Sequence, residues 1–178
     1  MSAAPRIRKA RLGDIEGIAD LIGRFARQGV LLPRTKEEIC RDLREFFVAE
    51  VGQVVGCCGL RTGWTDMAEV RSLAVMEEQQ RQGVATGLVK AAVQEARELG
   101  YARVFALTYA PGFFERLGFA RVDKGRLPHK IWTDCVKCRK FPNCDETAVL
   151  LEFEGKKVAA DGGASEIGRR GDGEGLAT

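Results

Sequence analysis

Between residues 72 and 99 the chain reads "SLAVMEEQQRQGVATGLVKAAVQEAREL", an apolar run that gives way to polar residues around one glycine and then to a helix. If Leu73 to Val75 ends a strand and Val84 opens a helix, the loop between them gathers the amides of Gln80, Arg81, Gln82, Gly83, Val84 and Ala85. The first N–H groups of a helix have no carbonyl one turn earlier, and the helix dipole is positive there, so such a junction suits a phosphate. Gly83 lets backbone approach an anion without a Cβ in the way, small Ala85 keeps the first turn open, and Arg81 can add charge. The nucleoside-triphosphate signature G-x-x-x-x-G-K-[ST] and the dinucleotide signature G-x-G-x-x-G are both missing. The competing reading of the same residues is a plain glycine turn ahead of an amphipathic helix.

The rest of the chain gives this junction its setting. With 178 residues, 45% hydrophobic and 30% charged, there is room for one domain with a real core. A net charge of +3, with basic residues interleaved among acids, disfavours nucleic acid as a partner and is ample for a small anionic ligand. No charged-then-apolar leader and no apolar run of ~18 residues is read, so the expectation is a cytoplasmic chain with no membrane span. In that setting six cysteines are expected to be thiols or metal ligands rather than disulfides.

Periodicity predicts a strand over Ile7 to Ala10, then a helix capped by Asp14 and ended by Gly29. Thr35 with Glu38 is a capping-box pattern for a second helix through about Arg44. "FFVAEV", "QVVGCCGLRT" and "MAEVRSLAV" read as an antiparallel meander, its first turn at Gly52. The helix over 84–99 is expected to bury Val84, Leu88, Ala91, Ala92, Glu95 and Leu99, and Gly100 stops it before the strand "RVFAL". A short helix over 111–117, the strand "FARV", an irregular polar stretch from Asp123 to Asp145 and a last strand "TAVLLEF" follow. Residues 154–178, rich in glycine and charge, read as a disordered tail behind a domain spanning 1–153.

This order of elements, together with "SLAV", the [QR]-x-x-G-x-[GA] match at Gln80 to Ala85 and "PGFFERLGF" before a strand, resembles the Gcn5-related N-acetyltransferase (GNAT) family over roughly residues 5 to 153. The resemblance implies an α/β (α+β) fold with a mixed, mostly antiparallel central sheet flanked by helices. It implies acetyl-coenzyme A as cosubstrate, its pyrophosphate held at Gln80 to Ala85 and its pantetheine arm along Leu73, Ala74 and Val75. "GVLLPRTKEEI", "AEVRSLAV" and "DKGRLPHKIWTDCVKCRKFPNCDE" further resemble the short bacterial N-acetylglutamate synthases, amino-acid acetyltransferases of arginine biosynthesis. That implies a small-molecule acceptor, glutamate or glutamine, and is compatible with a homodimer. The expected form carries no amino-acid-kinase-like segment ahead of it, and so no arginine feedback through one.

The chemistry asks for cations to hold carboxylates and for a group to take the proton of an ammonium whose pKa is about 8. Strand alternation places Glu69 and Arg71 on one face of β "AEVRSLAV", Glu69 as proton acceptor and Arg71 as carboxylate ligand, or else the two as a solvent-facing pair. Arg34, after "VLLP", is either a loop arginine or, by the "LL-x-R" likeness, a bidentate carboxylate ligand. Lys130 in "LPHK" is a candidate for the acceptor's side-chain carboxylate. A backbone N–H near Ala74 or Val75 is available to a developing oxyanion. Relatives often place a tyrosine acid in the short helix, where this chain has Phe114; Tyr109 is the substitute, as acid or as an aromatic wall. His129, the single histidine, is read as structural. Cys135, Cys138 and Cys144 form C-x2-C-x5-C, with His129 or Asp145 as a fourth donor for a structural zinc, against free thiols packing a loop. The competing functions are acetylation of a peptide or protein amine and a non-catalytic coenzyme A-binding module.

Overall fold

The computed structural model describes residues 4–127, 135–136, 138–140 and 142–155. Seven strands make one sheet in the order β1-β2-β3-β4-β5-β7-β6. The strands are β1 (Arg6–Lys9), β2 (Phe46–Val51), β3 (Gln53–Arg61), β4 (Met67–Val75), β5 (Arg103–Thr108), β6 (Ala120–Val122) and β7 (Thr147–Glu152). Four α-helices accompany them: α1 (Ile15–Arg27), α2 (Lys36–Arg41), α3 (Val84–Glu98) and α4 (Pro111–Glu115). Every strand pair is antiparallel except β4 with β5, so the sheet is mixed and mostly antiparallel, as the sequence implies. The meander β2-β3-β4 turns first at Gly52, whose φ of 67° is open to glycine at no steric cost.

Alternation along the strands builds a core on each face. Phe46 and Val48 pack with Ile18, Leu21 and Ile22 of α1 and Ile39 of α2, while Phe47 and Ala49 pack with α3 on the other side. Cys57 and Cys58 divide the same way and are both fully buried, the core residues expected of them. Beyond the reach of α1, the face made by Met67, Phe105 and Leu150 is covered by Leu127 and Trp64.

Three local expectations are corrected. The capping box at Thr35 is present, but α2 stops at Arg41 and continues only as a 3-10 turn, Leu43–Glu45. Helix α3 buries Val84, Leu88, Val89, Ala92 and Ala96, whereas Leu99 is 60% exposed and Glu95 pairs with Lys9 at 2.9 Å. An i, i+4 ladder from Val84 keeps one face, and residue 99 lies past the helix end. Asp14 does not cap α1 through its side chain. Its carboxylate accepts from the Arg11 backbone N–H at 2.7 Å and from the Arg8 guanidinium at 2.7 and 3.0 Å, and Arg8 also reaches Glu50.

This cluster ties β1, β2 and the entry to α1, and Asp14 is largely buried. Removing it leaves Arg8 with one partner fewer, so Asp14→Ala is expected to cost about 3 kcal/mol in urea unfolding. The Arg8 hydrogen bond holds the Asp14 carboxyl below its ordinary 3.8, against the opposing effect of burial. A lowered folded value means the contribution is complete above the unfolded pKa and is lost as pH falls through the folded one. The stability gap between wild type and Asp14→Ala should therefore close in acid, which paired unfolding curves at neutral and acidic pH would check.

Candidate active site

Two strands that begin as neighbours and then part create the site. β4 is paired with β3 along its length, but its parallel pairing with β5 covers Met67, Ala68 and Glu69 and goes no further. β5 instead stays with β7 up to Thr108. A wedge therefore opens beside residues 70 to 75, where β4 presents a strand edge without a strand partner.

The same stretch is bulged. Between the pairs Gly59–Arg71 and Cys57–Ala74, β4 takes three steps where β3 takes two, and Ser72 sits at φ 52°. A non-glycine residue there costs roughly 1 kcal/mol or more, strain of the kind that collects at working sites. Ser72 is held from two sides: Arg34 Nε donates to its Oγ at 3.4 Å, and the Cys57 thiol donates to its carbonyl at 3.5 Å.

The far end of β4 leads into the glycine loop. The Gln80 side chain donates to the Val75 carbonyl at 3.1 Å and Gln82 to the Glu78 carbonyl at 2.8 Å, so two of the loop's side chains brace its own backbone. Arg81 (φ 61°) and Gly83 (φ 81°) both adopt left-handed conformations, and Gly83 is the residue before α3, with no side chain capping the helix. Nothing lies within 4 Å of where a Gly83 Cβ would stand. The first amides of a 15-residue helix thus face an open cradle, which fits a phosphate group.

At the bulged end the wedge contains a cavity of about 110 Å³. Arg34, Glu69, Arg71, Ser72 and Tyr109 line it, as do Cys135, Cys138, Lys140 and Glu146. Four of the expected acceptor and catalytic residues therefore meet in one place, although they come from three separate parts of the chain. Lys130 and His129 lie outside the described residues.

Arg71 is placed differently from what its role as a substrate ligand asks. Its side chain is 8% exposed and donates to Glu45 at 2.7 Å and Asp42 at 3.2 Å, so two protein carboxylates already share its charge. That arrangement makes it a brace between β4 and the turn after α2. Both arginines line the cavity, but it is Arg34 that reaches Ser72.

Phe114 is 4% exposed and packs edge-on against Phe113 and Phe119, so the short helix α4 supplies core where a tyrosine acid would stand. Tyr109 is 40% exposed; its hydroxyl donates to Asp145 at 2.7 Å and accepts from Lys140 at 2.6 Å. Burial, helped by Asp145, raises the phenol above its ordinary value despite Lys140, which keeps it protonated and able to donate.

Lys140 and Glu146 were not singled out from the sequence, and Asp145 was named only as a possible zinc donor, whereas the fold sets it on Tyr109 and Lys140. Burial pushes the Glu146 carboxyl up, although the Cys144 thiol lies 3.8 Å from it as a donor. Burial likewise pushes the Cys135 thiol up to about 11, with Cys144, Glu69 and Glu146 adding to the effect. The thiol is therefore protonated near neutrality. All six cysteines are free, and among the described residues no three His, Cys, Asp or Glu side chains are grouped to hold a metal ion. The zinc expected of C-x2-C-x5-C therefore finds no support among the described residues.

The model of the acetyltransferase (GNAT) family matches residues 18–119, a span holding the meander, the bulge and the glycine loop. The chain belongs to the GNAT family. An uncharacterized N-acetyltransferase of Chlorobaculum tepidum is 41% identical over 145 residues, covering 81% of this chain and 94% of that protein. An amino-acid acetyltransferase of Mycobacterium tuberculosis is 32% identical over 141 residues, covering 77% and 79%. Among solved structures, N-acetylglutamate synthase from Neisseria gonorrhoeae, complexed with coenzyme A and N-acetyl-glutamate, superposes with a TM-score of 0.76 at 29% identity. The match takes in 85% of this GNAT chain and 36% of the synthase.

Proposed function

We propose that this acetyltransferase moves the acetyl group of acetyl-coenzyme A to the α-amine of L-glutamate or L-glutamine, the first step of arginine biosynthesis. The observation that carries the reading is the cavity at the β4–β5 wedge, where cations (Arg34, Lys140) and carboxylates (Glu69, Glu146) line one small space. Charges of both signs at that scale complement a small amino acid, which brings an ammonium and carboxylate together. The relatives named as amino-acid acetyltransferases and the synthase fold support the same reading.

The donor fits the remaining geometry. The open cradle at Gly83 would take its phosphates and the unpartnered edge of β4 its pantetheine amides, and the bound thioester supplies an activated acetyl group. This chain's residues do the rest. Arg34 would hold an acceptor carboxylate, and Glu69 would take the ammonium proton, directly or through water. A backbone N–H at Ala74 or Val75 would meet negative charge on the acetyl oxygen. Tyr109, held protonated, would return a proton to the departing sulfur.

Turnover of acetyl-coenzyme A measured across the twenty amino acids and a set of lysine peptides tests the reading. Glutamate or glutamine is expected to be used far faster than any peptide; a peptide preference would replace the proposal with protein acetylation, and turnover of none would leave a coenzyme A-binding module. Within the same assay, Arg34→Ala is expected to raise the acceptor KM by ~10-fold or more and leave the donor KM nearly unchanged, since a charged hydrogen bond contributes about 1.5–3 kcal/mol. Equal damage to both substrates would make Arg34 a support for Ser72 alone.

A further inference from the structure

Glu146 is a second carboxylate at the acceptor cavity; it closes the synthase-like segment "DKGRLPHKIWTDCVKCRKFPNCDE", but no role is read for it from the sequence. It stands directly before β7, whose Thr147 pairs with Thr108 of β5, so Glu146 is set across the end of β5 from Tyr109. From there it lines the same cavity as Glu69 of β4, on the opposite side of the wedge. Among the described residues its carboxylate forms no ion pair, and it accepts from the Cys144 thiol at 3.8 Å.

Two lysines, Lys124 and Lys140, attract Glu146 without pairing with it, since each donates to another group. Lys140 donates to the Tyr109 hydroxyl at 2.6 Å and to Asp145 at 3.3 Å, and Lys124 donates to the Cys144 carbonyl at 2.7 Å. A partly buried carboxylate that faces a cavity without a cationic partner is costly unless something cationic arrives. In an acetyltransferase that takes an amino acid, the arriving cation is the acceptor's own ammonium.

We infer that Glu146 binds the ammonium group of the acceptor and, with Glu69 on the facing strand, fixes the amine between β4 and β7. The inference rests on the amino-acid reading of the cavity. It gives the two carboxylates different roles. Glu146 recognises the charged amine on entry, and Glu69 handles its proton. The carboxylates of the acceptor fall to Arg34 and the opposite wall.

The test compares the full-length wild type with Glu146→Gln and Glu146→Asp, using L-glutamate as acceptor and glutarate, the same diacid without the amine, as competitor. Glu146→Gln is expected to raise the glutamate KM by ~10-fold or more with kcat at saturation and the acetyl-coenzyme A KM nearly unchanged. Glutarate should inhibit the variant as well as it inhibits wild type, or better, because it offers no ammonium to lose and meets one negative charge fewer. Glu146→Asp should recover part of the glutamate KM. An unchanged glutamate KM overturns the inference, and so does a parallel loss for glutamate and glutarate, which is what a distorted cavity would give. The wild-type acceptor screen separates this from the proposed function: if another amine is preferred, the glutamate reading falls, and the Glu146 comparison is made with that amine and its deaminated analogue.

Discussion

Gly83→Asp should weaken acetyl-coenzyme A binding by ~100-fold or more, equivalent to about 3 kcal/mol, while the protein stays folded. The backbone at this position is left-handed, φ 81°, and aspartate tolerates that conformation better than most residues, so the cost in stability is roughly 1 kcal/mol. Space is not the obstacle either, since no atom lies within 4 Å of the new Cβ. What changes is the cradle itself. A carboxylate would sit where the first amides of α3 await a phosphate, satisfying those donors internally and repelling the ligand. Gly83→Asn serves as the control, because it brings nearly the same shape and the same backbone strain without the charge. Calorimetric titration should show Asn intermediate between glycine and aspartate. Unchanged affinity in Gly83→Asp would mean that the junction of β4 and α3 is a turn and no more.

That junction was legible because everything it needs is local: a strand end, one glycine and a helix start within a dozen residues. The meander was legible for the same reason, each hairpin being fixed by neighbouring residues and by period-two alternation that sorts Phe46 from Phe47 and Cys57 from Cys58. Arg34 and Glu69 could be named by likeness, and the fold brings them to one cavity. Three things needed the third dimension. The partners of Arg71, Asp42 and Glu45, come from the turn after α2, 29 and 26 residues away, so its burial as a brace has no signature on β4. Tyr109 and Asp145 meet across 36 residues because β5 and β7 are paired, a pairing that alternation along either strand leaves unspecified. Glu146 was overshadowed by the cysteines beside it, whose spacing suggested a metal while the fold lines the cavity at the β4–β5 wedge with the carboxylate and two of the three sulfurs.

Glu69→Gln should keep the fold and both substrate affinities while kcat falls by about 100- to 10,000-fold, the usual range for loss of a positioned proton acceptor. An amide of the same shape can still hydrogen-bond at the end of the β4–β5 pairing, where Glu69 faces Phe105, but it cannot take a proton. The loss should be deepest at low pH. There the acceptor arrives as an ammonium, and attack must wait for a base. As pH rises past about 8, where α-amino groups lose their proton, solvent delivers free amine and the variant should close part of the gap. That slope distinguishes proton transfer from support of the strand, which would harm turnover or acceptor binding alike at every pH. It also distinguishes Glu69 from Glu146. Loss of an ammonium ligand shows in KM and should worsen with rising pH no more than wild type does, whereas loss of the base shows in kcat and eases. The double variant makes the division of labour measurable: independent roles give multiplicative effects on kcat and KM, and a shared proton gives less than the product. Wild-type kcat in Glu69→Gln across roughly pH 6 to 9 would remove Glu69 from proton transfer. The facing carboxylate, Glu146, would then be the group in the cavity left to do it, and its glutamine variant would have to carry the kcat defect and its pH slope.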